Sequence, residues 1–155
     1  MSMEIYVLSE RRLVSIQEWQ RSIDATGVSM KLSTGTPFAK LRGALPVLLD
    51  RKPSHFECNH WDVKDFVRTY PDVQSGHRSK YALAIRWGAD ADAASSAYSA
   101  AAGYARATGG FIFDCQEGAV ISLERAIEIA DELKHSGPAI EAAVRTVMQR
   151  FRRGK

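Results

Sequence analysis

The sequence predicts an α+β domain with a single mixed or mostly antiparallel sheet of about five to seven strands and helices packed mainly on one face. Strand-like segments and helical segments follow one another without strict alternation and without full segregation. Residues 81–87 are almost continuously apolar, which is typical of a central strand that is covered on both faces. A chain of 155 residues is long enough to build one core of ordinary size.

The N-terminal segment predicts a strand followed by a helix. Residues 4–8 are rich in β-branched and aromatic types, as strands are. Ser15 and Glu18 have the spacing of a capping box, in which the serine hydroxyl accepts from the Glu18 amide and the carboxylate reaches back to the Ser15 amide. The helix that begins there ends at Gly27, and residues 28–32 predict a second strand.

The next segment predicts a hairpin and a short helix. Its strands are residues 44–49 and 55–60, joined by a loop at 50–54. Asp62 is placed to cap a helix that Pro71 stops.

A polar segment then separates this helix from the central strand. Residues 71–80 contain few apolar positions and predict a loop. After the strand at 81–87, Asp90 or Asp92 starts an alanine-rich helix that runs to residue 107 and is ended by a pair of glycines. The alanines indicate close packing against the sheet.

The C-terminal segment predicts a second hairpin and two helices. Its strands are residues 111–114 and 119–121. Ser122 caps a helix over 123–134, and Pro138 is suited to the first turn of a final helix.

The charge is concentrated at the C-terminal end of the chain. The formal net charge is +3, but residues 138–155 alone carry +4, which leaves −1 for residues 1–137. We therefore predict one α+β domain over residues 1–149 and a basic tail at 150–155. The tail follows a helix end, where cations interact favourably with the helix dipole.

The N-terminus and the two cysteines indicate a cytoplasmic protein. Residues 1–10 lack the pattern of a secretory signal, and no apolar run reaches the length of about 20 residues that a membrane helix needs. Cys58 and Cys115 lie 57 positions apart without a CxxC motif, so we expect both to be reduced. The sequence predicts no membrane partner.

The segment from His55 to His60 contains the highest density of potential metal ligands. On a strand, His55 and Glu57 share one face while Cys58 and His60 share the other, so the two pairs cannot bind one zinc ion. We expect ordinary strand residues there, with no metal and no cofactor.

No pattern in the chain predicts catalytic residues. The nucleophile motifs GxSxG and SxxK are absent, and the Asp114 carboxylate beside Cys115 disfavours a thiolate. Carboxylates at helix starts, such as Asp62, are explained by capping. We therefore expect a protein that is not an enzyme.

Several segments resemble small bacterial immunity proteins of polymorphic toxin loci, of the kind labelled immunity protein 52. The resemblance covers residues 4–133 and leaves out the basic tail. It rests on five segments: residues 41–46, 56–62, 81–88, 107–114 and 117–118.

This resemblance implies a cytoplasmic, non-catalytic protein that binds and neutralises a cognate toxin, such as a polymorphic or type VI secretion effector. It carries over no site residues, because the contacting surface differs among members. From the residues themselves, we expect a partner to contact polar and aromatic loop positions that lack a capping or core role. These candidates are Glu57, His60, Trp61, Asp62, Asp72, His77 and Arg78.

Two other classes of function stay open, as does a homodimer. One is a small-molecule or metal-dependent enzyme in which histidines and Cys115 converge with carboxylates. The other is weak binding of nucleic acid through the basic C-terminal helix, which is the less favoured alternative because aromatic side chains for base stacking are missing there.

Overall fold

Seven strands form one open sheet in the computed structural model, which describes residues 3–33 and 35–135. Every neighbouring pair of strands is antiparallel. The order across the sheet is β2-β3-β4-β5-β1-β6-β7. The strands are β1 (Met3–Ser9), β2 (Met30–Leu32), β3 (Ala44–Leu49), β4 (Lys52–Trp61), β5 (Tyr81–Trp87), β6 (Phe111–Asp114) and β7 (Ala119–Ile121).

The described ranges contain five α-helices, and the three longest pack on one face of the sheet. They are α1 (Ile16–Ala25), α2 (Val63–Thr69), α3 (Gln74–Arg78), α4 (Ala91–Thr108) and α5 (residues 123–135), with a 3₁₀ turn at Phe38–Lys40. We call the side with α1, α4 and α5 the inner face and the side with α2 and α3 the outer face. The predicted α+β class is confirmed.

Strand β5 lies at the middle of the sheet, as its apolar run predicts. Leu83 and Ile85 point into the inner core, while Ala82 and Ala84 belong to the outer cluster. Both faces of β5 are buried because helices lie on both sides of the sheet at this strand.

The inner core depends on the close approach of α1 and α4. Trp19 is fully buried and its Nε1 donates to the Ala100 carbonyl oxygen at 2.9 Å. The Ser22 hydroxyl donates to the Gly103 carbonyl oxygen at 2.6 Å. These bonds between one helix's side chains and the other's backbone require small residues along α4, which the alanine-rich sequence supplies.

A smaller aromatic cluster lies on the outer face. Tyr6, Phe66, Tyr70 and Phe113 form ring contacts with centroid separations of 4.7–6.2 Å. Phe66 of α2 is fully buried in this cluster. The sheet thus separates two hydrophobic cores of unequal size.

The helix caps agree with the sequence except for one bond. The Ser15 hydroxyl accepts from the Glu18 amide at 3.1 Å, as a capping box requires. The Glu18 carboxylate accepts from the amide of Val14 at 3.0 Å instead of that of Ser15. Its second oxygen is bound by Arg11, so the carboxylate is drawn one residue further back along the chain.

The predicted loop over residues 71–80 is wrong in part, because it contains helix α3. No side chain of the described residues caps this helix, so its sequence carries no start signal of the kind seen for α1 and α2. Its position is explained by packing against α2. A Cβ at Gly76 would lie 2.9 Å from Cε1 of Phe66, so only glycine lets α3 approach α2 this closely.

The loop between β3 and β4 is shorter than predicted. Only Asp50 and Arg51 lie between the strands, with positive φ values of 49° and 69°. Two successive left-handed residues make the tight turn whose twist matches a hairpin, so residues 52–54 belong to β4.

The predicted final helix and the basic tail at 150–155 lie outside the described residues. In the ranges that the structure describes, no helix is both long enough and apolar enough to cross a membrane.

Candidate functional site

Strand β4 carries three of the predicted partner-binding residues, and its alternation divides them between the two faces. Glu57 and Trp61 point to the outer face and are exposed, whereas His60 points to the inner face and is half-buried. The structure therefore does not bring all seven predicted residues onto one surface.

Glu57 lies in a row of charges that crosses the outer face. Its register partner on β5 is Arg86, which in turn is the register partner of Glu4 on β1. The Arg86 guanidinium is 3.4 Å from the Glu4 carboxylate. Cross-strand neighbours of opposite charge attract, so Glu57 adds a second carboxylate beside this cation.

Trp61 lies at the boundary between the outer aromatic cluster and solvent. Its ring centroid is 5.4 Å from that of Tyr6, yet 36% of the residue remains exposed. A tryptophan that is fixed on one side and open on the other resembles the anchors at the centres of protein interfaces. Asp62 follows it and caps α2, since its carboxylate accepts from the Lys64 amide at 2.9 Å.

His60 is held in place by the 3₁₀ turn. Its Nε2 lies 2.9 Å from the Phe38 carbonyl oxygen, and the two rings meet edge to face at 4.8 Å. Burial lowers the pKa of His60, which favours the neutral imidazole. His60 and Trp61 both line an open pocket of about 420 Å³ that also includes Arg42.

The other three predicted residues lie in α3 and in the loop between α2 and α3, which together form the layer on the outer face. Asp72 borders a cavity of about 370 Å³ between this layer and the β6–β7 hairpin. His77 is exposed, and its Nε2 is 2.7 Å from the Pro71 carbonyl oxygen. Arg78 is the last residue of α3 and is also exposed.

The sequence analysis missed the surface that adjoins Glu57. On the outer side of β3 and of the part of β4 that pairs with it, six side chains are exposed, and no described helix covers them. We call this surface the bare face; it consists of Ala44, Pro46, Leu48, Pro53, His55 and Glu57. Leu48 is 45% exposed and its register partner is Pro53.

A signal for the bare face is present in the sequence. Leu45, Val47 and Leu49 alternate with the exposed residues of β3, so a period of two already indicates which side is buried. This alternation does not indicate that the outer face of β3 and β4 lies without a covering helix, because helix cover depends on the tertiary structure.

The two thiols are free and lie in environments that disfavour thiolates. Burial raises the pKa of Cys58 to about 12. For Cys115, burial and the nearby carboxylates of Glu4 and Asp114 raise the pKa, although a hydrogen bond from Tyr70 acts in the opposite direction. The predicted effect of Asp114 on this thiol is confirmed in direction.

A buried carboxylate that the sequence analysis considered only for its effect on Cys115 lies in the second hairpin. Asp114 is 1% exposed and accepts from the Tyr98 hydroxyl at 2.8 Å and from the Gln116 amide at 2.9 Å. These bonds tie the β6–β7 turn to α4, so we assign Asp114 an anchoring role.

Among the residues that the structure describes, no group of three or more histidine, cysteine, aspartate or glutamate side chains could hold a metal ion. Of the seven predicted residues, Glu57 and Trp61 remain the ones that present exposed side chains next to an uncovered part of the sheet. No protein-family model, no curated protein and no solved structure matches this chain.

Proposed function

We propose that this chain is a non-catalytic immunity protein that binds and neutralises a cognate bacterial toxin, of the polymorphic or type VI secretion effector class. The proposal combines the sequence resemblance with the character of the exposed sheet. It includes a cytoplasmic location, because an inhibitor must meet the incoming toxin where the toxin acts.

The observation that carries the proposal is the bare face beside Trp61. Four of its six residues are apolar, its member Glu57 lies at the side next to β5, and the Arg86–Glu4 ion pair follows on β5 and β1. An apolar centre with a charged rim and a half-exposed tryptophan is the composition of a protein-binding surface. An antiparallel sheet holds the backbone of such a surface in place, which lowers the cost of ordering it on binding.

The environments of the candidate catalytic groups support a non-catalytic role. His60 and His77 each lie within hydrogen-bond distance of a backbone carbonyl, so a ring nitrogen of each is already engaged. The thiols of Cys58 and Cys115 have raised pKa values, which is the reverse of nucleophile activation.

The decisive experiment uses the toxin encoded beside this gene. We expect co-expression of the full chain to protect bacteria from that toxin, and the two proteins to co-purify as a stable complex. Absence of protection, or of an adjacent toxin gene, would contradict the proposed function.

A pair of variants tests the surface. Leu48→Lys places a charge in the bare face and should weaken toxin binding at least tenfold, on the order of 1.4 kcal/mol. Val14→Lys is the matched control, because Val14 is 84% exposed and lies outside that face. Binding by calorimetry should be unchanged for the control; equal affinities of both variants would exclude the bare face as the contact surface.

A further inference from the structure

The last strand of the sheet has an unpaired edge. Strand β7 pairs with β6 on one side, and no described residue pairs with its other side. An exposed strand edge presents backbone N–H and C=O groups that can accept an additional strand.

Two cavities lie on opposite sides of this edge. The inner cavity, of about 350 Å³, is lined by Ala105, Ile112 and Leu123. The outer cavity, of about 370 Å³, is lined by Val73, Phe113 and Ser75. Successive side chains of a strand point to opposite faces, so an added strand would place adjacent residues into the two cavities.

Exposed apolar side chains connect the two cavities. Phe111 and Val120 line both of them and are 44% and 46% exposed. The Ser75 hydroxyl is buried next to the outer cavity and has no hydrogen-bond partner among the described residues. Apolar exposure together with an unsatisfied buried hydroxyl indicates a surface that is completed by another group.

The charge around this edge is negative. Asp72 borders the outer cavity, while Glu117 and Glu124 lie just before and just after β7 in the chain. None of the three carboxylates lies within ion-pair distance of a described cation, although the charge of Arg125, which pairs with Glu128 and Glu132, also acts on Glu117. A segment with basic ends complements this arrangement.

We propose that the β7 edge binds an extended segment of a partner protein, with large apolar residues at its centre and lysine or arginine at its ends. A second copy of this chain fits less well. Pairing of two copies would bring the same three carboxylates of each chain towards one another, and these like charges repel. The β7 strand of the second copy would also offer only Val120 to the outer cavity, which is smaller than the large apolar residue that the proposal expects there. The proposal holds whether or not the partner is a toxin.

A synthetic peptide tests the strand addition. The probe is fluorescein-labelled Lys-Thr-Val-Phe-Leu-Thr-Lys, and binding to the full chain is measured by fluorescence anisotropy. We expect binding that weakens at least tenfold when the three central amides are N-methylated, because those amides form the strand hydrogen bonds. A peptide with glutamate in place of both lysines should also bind at least tenfold more weakly.

Variants of the protein locate the site. Val120→Lys should weaken binding of the basic peptide at least tenfold, while Leu48→Lys, at a residue of nearly equal exposure on the same face of the sheet, should leave it unchanged. Asp72→Lys should weaken the basic peptide and strengthen the acidic one. Circular dichroism of each variant confirms folding.

Three results would overturn the inference. They are equal binding of the N-methylated peptide, equal effects of Val120→Lys and Leu48→Lys, and a wild-type dimer in sedimentation that Val120→Lys converts to a monomer. The last result would assign the edge to a second copy. The test of toxin binding uses Leu48→Lys, whereas the test of strand addition uses Val120→Lys. Failure of the proposed function is therefore distinguishable from failure of the strand-addition proposal.

Discussion

Asp114 illustrates how a single buried polar residue connects two elements. It belongs to β6, its carboxylate accepts from Tyr98 of α4, and it also accepts from the amide of Gln116 in the following turn. Burial and the hydrogen bond to this carboxylate raise the pKa of Tyr98, so the phenol stays protonated and continues to donate.

Removal of the Tyr98 hydroxyl should therefore destabilise the fold. We expect Tyr98→Phe to lower the free energy of unfolding by about 1–3 kcal/mol, because the buried carboxylate loses a hydrogen-bond donor. Urea denaturation followed by circular dichroism measures this change. Tyr81→Phe, at a residue that is 41% exposed, is the control and should have little effect.

His60 should make stability depend on pH. Burial lowers its pKa in the folded protein, and the Arg12 cation acts in the same direction, while the bond to the Phe38 carbonyl opposes both. The unfolded chain takes up a proton near pH 6.5, above the pH at which folded His60 does so. Stability from this group is therefore present above about pH 6.5 and is lost as the pH falls towards the lowered pKa.

The measurement compares the wild type with His60→Gln. We expect the wild type to lose more of its free energy of unfolding between pH 8 and pH 5.5 than the variant does. Val14→Gln, at an exposed residue without a titratable side chain, should keep the wild-type pH dependence. Parallel curves for the wild type and His60→Gln would contradict the role assigned to His60.

At the scale of elements, the contact of α1 with α4 determines how closely the helices cover the sheet. Gly103 lies in the middle of α4, where glycine ordinarily weakens a helix. A Cβ at this position would lie 2.5 Å from Cγ1 of Ile23 and 3.2 Å from the Ile23 Cα. The backbone of α1 leaves no room for a side chain here.

Gly103→Ala should consequently reverse the usual gain from alanine in a helix. We expect a loss of about 1–3 kcal/mol in the free energy of unfolding, since the added methyl group forces the two helices apart. Chemical denaturation provides the value, and Gly88→Ala is a matched control because a Cβ there meets nothing within 4 Å. A stabilised Gly103→Ala protein would disprove the close contact.

At the scale of the whole molecule, one sheet joins two hydrophobic cores. Tyr6 and Ile5 are neighbours in β1, yet Tyr6 packs in the outer cluster and Ile5 in the inner core. Because the same strands support both cores, we expect the domain to unfold as a single cooperative unit.

Phe66→Ala tests this cooperativity from the smaller core. The substitution leaves a cavity in the outer cluster, which should lower the free energy of unfolding by about 3–5 kcal/mol. In a Trp61→Phe background, fluorescence arises from Trp19 and Trp87, which both lie in the inner core. The fluorescence and circular dichroism transitions should shift together by the same amount. A fluorescence transition that does not move would show that α2 and α3 unfold separately, and Val14→Ala serves as the surface control.

The local elements of this protein follow from its sequence because their signals act over a few residues. Alternation of apolar residues identifies β3 and the two faces of β4, and side-chain caps at Ser15, Asp62 and Asp90 mark where helices begin. The alanine-rich composition of α4 likewise predicts its close packing.

Only the tertiary structure decided the arrangement of these elements. The order β2-β3-β4-β5-β1-β6-β7 places β1 between two strands that follow it by more than 70 residues, and no short-range pattern encodes that pairing. Helix α3 packs closely against Phe66 of α2 at Gly76, a contact between elements that local sequence does not encode. Among the described residues, no helix covers the bare face and no further strand lies beside β7, so the candidate binding surfaces are properties of long-range packing that local periodicity does not specify.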